Sequence, residues 1–394
     1  MIVGIDARPA LFGATGFGRA TRETIRALRA RPGLTVRAFG AAWRSPRPDL
    51  GLPDVVRLPL PARAQSALAP LGFGVETLLG PIDLFHHTDL VYAPVRRAPQ
   101  VLTIYDLVFL RGEPWHDPGF AARVAPRVRR AAARAAAIVV PSARVAEEVL
   151  AHGLAEAGRV HVVPLGTDHV SARPQPDDAA RVRRLLAAGR AAGIATDSAT
   201  NSATGGPAHP PVVLLPGTRE PRKNQLAVLQ AFLALGARAR DAVLVLAGPR
   251  GWGCAELEAA LADPALAGRV VAAGEVSEPD LGALLRRADV VCYPSFAEGF
   301  GLPAAEGMRC GRAVLTSADT PMADLGGDSV LAVDPRDGGA LREALAALLA
   351  DPARRAALGA AAAARAEPLT WAATAAALQA VYEQVAPGAG ARAA

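Results

Sequence analysis

Short runs of branched apolar residues alternate with alanine- and arginine-rich helical stretches along nearly the whole chain, and this alternation occurs in two separate sets. Strands and helices that alternate in this way predict parallel sheets covered by helices on both faces. A chain of 394 residues is also long for one hydrophobic core and suits two. The sequence therefore predicts two Rossmann-like α/β domains. The candidate strands are residues 2–6, 35–39, 101–105, 137–140 and 160–163 in the first set, and 212–215, 242–246, 270–272, 290–293 and 313–316 in the second.

The predicted domain limits follow from the stretch between the two sets. Residues 171–211 hold one candidate helix at 179–192, followed by the Ser-, Thr-, Gly- and Pro-rich run IATDSATNSATGGPAHPP. Connections inside compact domains are usually shorter, so this stretch is predicted to be a linker with a flexible insertion. The predicted domains are thus residues 1–170 and 212–370, and an amphipathic helix in residues 371–394 is predicted to cross back to the first domain.

Composition disfavours several classes of protein. The three cysteines, Cys254, Cys292 and Cys310, have neither CxxC spacing nor nearby histidines, so neither a disulfide framework nor a zinc site is predicted. Aromatic residues make up 5% of the chain and none interleaves with a basic patch, which disfavours nucleic-acid binding. No apolar run approaches the ~18 residues that span a bilayer, and the first residues lack the features of a signal peptide. A cytoplasmic protein with reduced, buried thiols is expected.

A single lysine stands among the 43 basic residues of the chain. Lys223 lies in the loop TREPRKN, between the predicted strand VVLLPG and the helix QLAVLQAFLAL, for which Asn224 is the predicted N-cap. This loop falls at the carboxyl edge of a parallel sheet, the usual place for ligands in open α/β folds. Arg219, Arg222 and a helix N-terminus add positive charge beside it. The loop is therefore predicted to hold phosphates, and a solvated basic turn is the alternative.

A second segment, YPSFAEGFGLPAAEG, follows the predicted strand 290–293. Gly299 and Gly301 remove side chains from a loop, so that backbone N–H groups can approach a ligand. Two carboxylates, Glu298 and Glu306, flank this row of amides. Amides and a helix dipole suit a diphosphate, whereas carboxylates accept hydrogen bonds from sugar hydroxyls. The alternative, a Glu that complements the helix dipole, accounts for Glu306 alone.

GTREPRKN together with the E-x7-E spacing in SFAEGFGLPAAEG resembles the retaining glycosyltransferases of family four. Supporting stretches are AIVVPSARVAEEVL, RVHVVPLGTD and LTWAATAAALQAVY, so the resemblance covers nearly the whole chain. It implies a GT-B architecture, in which two Rossmann-like domains with parallel sheets face a central cleft. The EPRKN variant looks similar to mannosyl- and rhamnosyltransferases.

The resemblance implies roles for residues of the second domain. Lys223 would bind the donor diphosphate and neutralise the leaving group, Glu298 would contact hydroxyls of the donor sugar, and Glu306 would contact the ribose. The family often has an arginine directly after the glycine that ends the first strand of this domain, and this chain has Thr218 there. Arg219 or Arg222 would supply the missing cation, and the backbone amides would come from Gly299, Phe300, Gly301 and Leu302.

A glycine-rich loop, GATGFG, also follows the first strand of the chain. A dehydrogenase fingerprint of the G-x-x-G-x-x-G type would need a third glycine where this chain has Arg19, so that interpretation fails. In the resembling family this loop lies against the donor diphosphate. The residues implied there are Gly16, Phe17, Gly18 and Arg19.

The acceptor side of the family carries a histidine in a T-[IV]-H-D-L motif. Here the corresponding stretch is TIYDL, with Tyr105 in place of the histidine, followed by Asp106. Tyr105 and Asp106 join Lys223 and Glu298 as candidate catalytic residues. The pair His86 and His87 are further candidates for acceptor contact, although an isolated histidine is more often structural.

The implied reaction moves a hexosyl group from a GDP-, UDP- or dTDP-linked sugar to a saccharide, lipid-linked or small-molecule acceptor. The chain has no D-x-D triplet, which holds the cation in metal-dependent glycosyltransferases of the other major fold, so metal independence is predicted. No cofactor beyond the nucleotide-sugar co-substrate is expected. A scaffold that binds nucleotide-sugars without turnover is the alternative.

A basic stripe runs along one predicted helix at a spacing that places its members on one face. Such a face suits peripheral contact with the anionic inner surface of a membrane if the acceptor is lipid-linked, but a solvated helix surface is the favoured interpretation. The stripe consists of Arg123, Arg127, Arg130 and Arg134.

Overall fold

The structure, a computed structural model, describes residues 1–12, 16–43, 52–113, 115, 118–188 and 210–386. The chain divides into two compact units. Unit 1 comprises Met1–His169 and the segment that begins at Leu369, and unit 2 comprises Val170–Pro368. Each unit contains one fully parallel sheet with helices, so the two predicted Rossmann-like domains are confirmed.

The sheet of unit 1 has seven strands in the order β3-β2-β1-β4-β5-β6-β7. The chain moves outward from β1 to β3, and it then returns to the other side of β1 with β4. The strands are β1 (Ile2–Asp6), β2 (Thr35–Ala41), β3 (Val55–Leu58), β4 (Leu84–His87), β5 (Gln100–Thr103), β6 (Ala137–Val140) and β7 (Val160–Val162).

Among the described residues in the first part of unit 1, five α-helices and three 3-10 helices accompany this sheet. The α-helices are α1 (Arg8–Phe12), α2 (Gly16–Arg29), α3 (Glu76–Leu79), α4 (Pro118–Arg134) and α5 (Ala143–Ala151). The 3-10 helices are Ala62–Leu71, Val108–Leu110 and Ala157–Arg159.

The sheet of unit 2 has six strands in the order β10-β9-β8-β11-β12-β13. Every residue of β8, β9 and β11 is buried, as expected for central strands of a parallel sheet covered on both faces. The strands are β8 (Val212–Pro216), β9 (Val243–Ala247), β10 (Val270–Gly274), β11 (Val290–Tyr293), β12 (Ala313–Ser317) and β13 (Leu331–Val333).

Helices follow most strands of unit 2, and their apolar sides complete one continuous core around Phe232, Leu244 and Leu345. The α-helices are α6 (Asp178–Ala188), α7 (Gln225–Ala234), α8 (Ala255–Leu261), α9 (Glu278–Arg287), α10 (Leu302–Arg309), α11 (Pro321–Gly326), α12 (Gly338–Ala350) and α13 (Pro352–Ala366). The short 3-10 helices are Pro221–Lys223, Gly236–Ala239, Pro264–Leu266 and Gly327–Ser329. All three cysteines are free and buried, as predicted.

Each predicted strand is present with its ends shifted by at most two residues, but three strands were missed. β3 lies at an edge and is partly exposed, and β13 has only three residues. β4 ends in two histidines, which do not resemble an apolar run, yet all four of its residues are buried. Hydrogen bonds to the imidazoles make this burial possible.

The segment predicted as a linker contributes a helix to unit 2. Asp178 on α6 pairs with Arg286 on α9 at 2.6 Å, and Arg181 pairs with Asp280 at 3.0 Å. α6 is therefore attached to the second unit rather than lying in a free connection. Most of the predicted flexible insertion lies outside the described residues.

The last helix, α14 (Trp371–Val385), belongs to unit 1 and packs against α2. The Trp371 amide donates to Asp168 at 2.7 Å, and the Thr374 hydroxyl donates to the carbonyl of Pro164 at 2.8 Å. Tyr382 is completely buried among the apolar residues of unit 1. Within the described part of the chain, no helix is long and apolar enough to cross a membrane.

Candidate functional site

The loop that carries Lys223 begins where β8 ends. Gly217 adopts a positive φ of 118°, and its carbonyl accepts a hydrogen bond of 3.2 Å from the Gln225 side chain. Pro221–Lys223 then form a 3-10 turn before α7. Because β8 and β11 are neighbours although they are far apart in the chain, the switch point of the sheet lies between them. Ligands of open α/β sheets bind at the carboxyl edge of such a point.

Lys223 meets two residues supplied by β11 and the loop after it. Its Nζ donates to Glu298 Oε1 at 2.5 Å and also to the Tyr293 hydroxyl. The Tyr293 hydroxyl in turn donates to Glu298 Oε1 at 3.0 Å, and Arg222 Nη1 lies 3.0 Å from the same oxygen. We call Arg222, Lys223, Tyr293 and Glu298 the Lys223 cluster.

The electrostatics of the Lys223 cluster keep Glu298 charged. Burial alone would raise the pKa of Glu298, but Arg222 and Lys223 outweigh it and lower the pKa to about 2. Burial and the nearby Arg222 lower the pKa of Lys223, and Glu298 opposes this shift. Burial and Glu298 raise the pKa of Tyr293 well above its usual value, so the phenol keeps its proton.

The structure brings Lys223, Arg222 and Glu298 together, as expected if they serve one site. Tyr293 was not a predicted site residue. Its position as the last residue of a strand at the carboxyl edge was a usable signal, but the hydroxyl contact depends on the register between β8 and β11.

The glycine-rich bend after Glu298 leads into α10. Gly301 adopts a left-handed φ of 80°, and a Cβ built on it would lie 2.1 Å from Met322 Cγ. Only glycine fits there without a shift of Met322. Phe300 and Leu302 are buried, while Glu306, on the second turn of α10, is completely buried. The amide and ribose roles of these residues stay predictions.

Arg219 and Arg222, the two candidates to replace the arginine that the family often has at position 218, have different environments. Arg222 belongs to the Lys223 cluster, where it also donates to the Ala297 carbonyl at 2.7 Å. Arg219 instead lies 2.8 Å from Glu258 on α8. Of the two arginines, Arg222 is therefore the one placed beside Lys223. Thr218 lies next to Gly217, where the Gln225 side chain also donates to its carbonyl at 3.4 Å.

The predicted N-cap role of Asn224 is wrong. Asn224 precedes α7 but adopts a left-handed conformation with φ 57°, and its side chain makes no cap hydrogen bond. Its Nδ2 donates to the carbonyl of Pro335 at 2.7 Å instead. A tertiary hydrogen bond thus replaces the local capping interaction.

In unit 1 the predicted loop residues open α2, and one of them contacts the acceptor-side candidates. The Phe17 ring meets the Tyr105 ring edge-on, with centroids 4.6 Å apart. Burial raises the pKa of Tyr105 to about 12, although a hydrogen bond with Thr21 opposes this shift. Asp106 Oδ1 accepts a 3.3 Å hydrogen bond from the Val108 amide, which supports the turn after β5.

The other three loop residues differ in exposure. Gly16 is exposed at the start of α2, whereas Gly18 and Arg19 are buried. Arg19 is only 6% exposed, so most of its side chain packs inside unit 1.

His86 lies in the interior of unit 1 rather than on an exposed edge. Its Nδ1 lies 2.6 Å from the Tyr382 hydroxyl and its Nε2 lies 2.6 Å from Thr103 Oγ1, so both ring nitrogens have partners. Burial, with a contribution from His87, lowers its pKa to about 3. The imidazole is therefore neutral at neutral pH, and the hypothesis that it contacts an acceptor is not supported by its position.

His87 is buried as well. Its Nε2 lies 3.0 Å from Gln100 Oε1, and burial lowers its pKa to about 4. Its ring meets Tyr92 edge-on at 5.6 Å. Like His86, it is a core residue of β4, so its position does not support the predicted acceptor contact.

Two buried carboxyl groups at the carboxyl edge of unit 1 were missed. Asp6 ends β1 and Asp89 follows β4, and these strands are neighbours at the switch point of this sheet. Arg8 pairs with Asp89, and its amide donates to Asp6 Oδ1 at 2.9 Å. Burial and the charge of Asp89 raise the pKa of Asp6 to about 8, and burial raises that of Asp89. An aspartate at the end of one buried strand, and another two residues beyond the end of the next, was the available signal.

Two family models match the chain in succession. The model described as "Glycosyl transferase 4-like domain" matches residues 15–166, and the model described as "Glycosyl transferases group 1" matches residues 199–365. The chain belongs to glycosyltransferase family four. The first model thus matches most of unit 1 of this family-four chain, and the second matches most of unit 2.

Curated relatives of this family-four chain include two kinds of bacterial enzyme. The O-antigen chain mannosyltransferase B of Escherichia coli is 36% identical over 156 residues, which cover 39% of this chain and 41% of the relative. The D-inositol 3-phosphate glycosyltransferase of Xylanimonas cellulosilytica is 33% identical over 250 residues, which cover 63% of this chain and 57% of the relative. The chain thus spans about half the length of the curated relatives that it matches.

Solved structures of similar fold support the predicted GT-B class. Sucrose-phosphate synthase from Thermosynechococcus elongatus matches with a TM-score of 0.75 at 22% identity, over 98% of this chain and 99% of that one. Anabaena HepE, in complex with UDP and glucose, matches with a TM-score of 0.71 at 18% identity over the same shares. At these identities the likeness shows the fold alone.

Proposed function

We propose that this family-four chain is a metal-independent, retaining glycosyltransferase that moves a hexosyl group from a nucleoside-diphosphate sugar to an acceptor. The observation that carries the proposal is the contact between Lys223 and Glu298 at the carboxyl edge of the sheet in unit 2. It places an ammonium group beside a charged carboxylate, and this carboxylate lies four residues before the start of α10. A sugar diphosphate carries the matching groups, because it has anionic oxygens on one part and hydroxyls on the other.

Lys223 would hold the diphosphate. A lysine ammonium has three N–H donors, and the contacts with Glu298 and Tyr293 use two of them. The third would reach a phosphate oxygen. The amides at the start of α10 would hold another oxygen, because the N-terminus of a helix favours anions.

The same cations would assist bond cleavage. When the bond between the anomeric carbon and the phosphate oxygen breaks, its electron pair stays on the departing nucleoside diphosphate. Cations fixed before the reaction stabilise that developing charge without reorganisation. Arg222 is held in place by Glu220 at 2.8 Å and by the Ala297 carbonyl at 2.7 Å, so it is fixed in this sense.

Glu298 would serve two purposes. It orients Lys223, and because its pKa is about 2 it remains an acceptor for sugar hydroxyls at neutral pH. Glu306 is proposed to contact the ribose. On the acceptor side, Tyr105 and Asp106 are the proposed contacts, since both follow the carboxyl end of β5.

The donor is proposed to be linked to GDP, UDP or dTDP, and the acceptor to be a saccharide, a lipid-linked compound or a small molecule. A cytoplasmic location, with peripheral membrane contact if the acceptor is lipid-linked, is part of the same proposal. The mannosyltransferase among the relatives supports transfer of a hexosyl group, and the complex of HepE with UDP and glucose supports the UDP alternative.

A second candidate function is a nucleotide-sugar-binding scaffold without turnover. Tyr105, which stands where many family members have histidine, is the specific observation that favours it. The two functions differ in one assay, in which the protein is incubated with GDP-, UDP- and dTDP-linked sugars. A transferase would slowly release free nucleoside diphosphate, and EDTA would not change the rate. Binding without release would identify the scaffold, and absence of both would contradict the proposed site.

A further inference from the structure

A cavity of about 580 Å³ lies in unit 1 between the 3-10 helix Ala62–Leu71, the loop after β4 and helix α4. This volume is in the range of sites that hold small molecules. The cavity has an apolar part, to which Phe73, Val91 and Ala131 contribute. Among the described residues that line it none is acidic, and four are arginines, namely Arg96, Arg127, Arg130 and Arg134.

Of the five arginines of α4, the three that line the cavity, Arg127, Arg130 and Arg134, make no ion pair or hydrogen bond with other described residues. By contrast, Arg129 on the same helix donates to the His152 carbonyl at 3.3 Å and does not line the cavity. Arg96 is held by the Gly72 carbonyl through one Nη1 donor at 2.9 Å, which leaves the rest of its guanidinium available. Several cations without a protein partner, gathered around one concave surface, favour an anionic ligand.

Polar atoms beside the apolar part of the cavity also favour an anionic ligand. The amide oxygen of Gln100 is used by His87 Nε2, so the NH2 group of Gln100 remains as a donor, and Gln100 lines the cavity. Tyr92 also lines it and has a buried hydroxyl without a protein partner among the described residues. These groups add hydrogen-bonding capacity that an anion could use.

The cavity is distinct from the proposed acceptor contacts. The Ala136 amide, directly after α4, donates to the Gln100 carbonyl at 2.8 Å, so the end of α4 lies beside the start of β5. Tyr105 and Asp106 instead follow the other end of β5. The end of α4 that lines the cavity therefore lies near the amino-terminal end of this strand, whereas the usual ligand sites of such sheets are at the carboxyl ends.

We propose that this cavity binds an amphiphilic anion, with its phosphate group held by the arginines and its apolar chain placed against Phe73 and Ala131. A membrane phospholipid and a free alkyl phosphate share this chemistry. The proposal does not rest on transferase activity, because every residue involved belongs to unit 1, whereas the Lys223 cluster belongs to unit 2.

Calorimetric titration of the full chain tests the phosphate group and the apolar chain of the ligand separately. Decyl phosphate carries both, inorganic phosphate carries only the first, and decanol carries only the apolar chain. Decyl phosphate is expected to bind at least tenfold more tightly than either partial ligand, because it combines both contacts. Equal binding of inorganic phosphate, or no binding of decyl phosphate, would overturn the proposal.

Three variants locate the site. R127Q/R130Q is expected to weaken decyl phosphate binding by roughly tenfold, and A131F by a similar factor because its ring fills the cavity. R129Q, which removes one charge from the same helix outside the cavity, is the matched control and should leave the affinity within about twofold. If R129Q weakened binding as much as R127Q/R130Q, the loss of positive charge anywhere on α4 would explain the effect, and the proposed site would be contradicted. Circular dichroism shows that each variant is folded.

Vesicle flotation distinguishes the two sources. If the natural ligand is a phospholipid, vesicles of phosphatidylcholine and phosphatidylglycerol should retain the protein, vesicles of phosphatidylcholine alone should not, and R127Q/R130Q should be released. If decyl phosphate binds but neither vesicle retains the protein, the ligand is a free amphiphilic phosphate. Both outcomes support the cavity, while retention that A131F and R127Q/R130Q leave unchanged contradicts it.

Discussion

Lys223 Nζ lies 2.5 Å from Glu298 Oε1, and two different loops of unit 2 supply these residues. Lys223 ends the 3-10 turn after β8, whereas Glu298 follows β11. The contact therefore fixes the spacing of two loops at one edge of the sheet. Both side chains are only 10% exposed, so water screens their charges weakly and each shifts the pKa of the other.

Replacing Glu298 by Gln tests the role of its charge. The amide keeps the shape of the side chain but loses the charge that orients Lys223 and accepts hydrogen bonds from sugar hydroxyls. We expect release of nucleoside diphosphate from the donor sugar to fall on the order of a hundredfold, while affinity for the nucleoside diphosphate itself changes less than tenfold. Steady-state kinetics and calorimetry measure the two quantities. Unchanged turnover in E298Q would contradict a role of the Glu298 charge in the reaction.

The pH dependence of stability tests the same carboxylate. Its folded-state pKa of about 2 lies below its ordinary value of 4.5, so its contribution is present above pH 4.5 and is lost as the pH falls through 2. The shift corresponds to about 3 kcal/mol. Urea unfolding at pH 7 and pH 3 should show a smaller loss of unfolding free energy in E298Q than in the unchanged protein. Equal losses would mean that the Lys223 cluster does not hold Glu298 in its charged form.

Replacing Gly301 by Ala tests the bend before α10. The added Cβ would lie 2.1 Å from Met322 Cγ, and φ of 80° is unfavourable for alanine. We expect the free energy of unfolding to fall by about 2 kcal/mol and nucleotide affinity to fall with it. Gly338, with nothing within 4 Å of an added Cβ, provides the control variant G338A. Equal stability of the two variants in urea would contradict the described bend.

Asp6 is expected to make the free energy of unfolding fall as the pH rises, which is opposite to the effect of Glu298. The folded-state pKa of Asp6, about 8, lies above its ordinary value of 3.8, because burial and Asp89 disfavour the charged form. Stability from this group is full below pH 3.8 and is lost as the pH rises through 8. D6N, which cannot ionise, should flatten the fall of unfolding free energy between pH 5 and pH 8. D54N, at an exposed aspartate of unit 1, should leave that fall unchanged. A D6N profile parallel to the original would show that Asp6 is charged at neutral pH.

The sequence predicted those features that depend on local pattern. Strands made of apolar runs were found because burial on both faces requires such runs, and the loop of Lys223 was placed correctly because it follows one of them. β4 was missed because His86 can be buried only with partners from β5 and α14, which no local pattern reveals. The cap expected at Asn224 failed for a similar reason, since Pro335 provides a distant acceptor.

The candidate site shows the same division. The residue types at the ends of β8 and β11 indicated a phosphate- and hydroxyl-binding site, but the sequence could not select Arg222 over Arg219. The structure shows that Arg219 forms an ion pair with Glu258 on α8, whereas Arg222 forms one with Glu298. Tyr293 and the pair of Asp6 and Asp89 depend on register between neighbouring strands, so they required the structure.

The most direct test of the account is the affinity of the K223A variant for nucleoside diphosphates. Calorimetry with UDP, GDP and dTDP identifies the nucleotide that the unchanged protein binds, and the same titration is repeated with K223A and with R238Q, which removes an exposed charge elsewhere in unit 2. We predict that K223A weakens binding on the order of tenfold to a hundredfold, whereas R238Q changes it less than twofold. An affinity of K223A equal to that of the unchanged protein would contradict the claim that the Lys223 cluster holds the donor diphosphate.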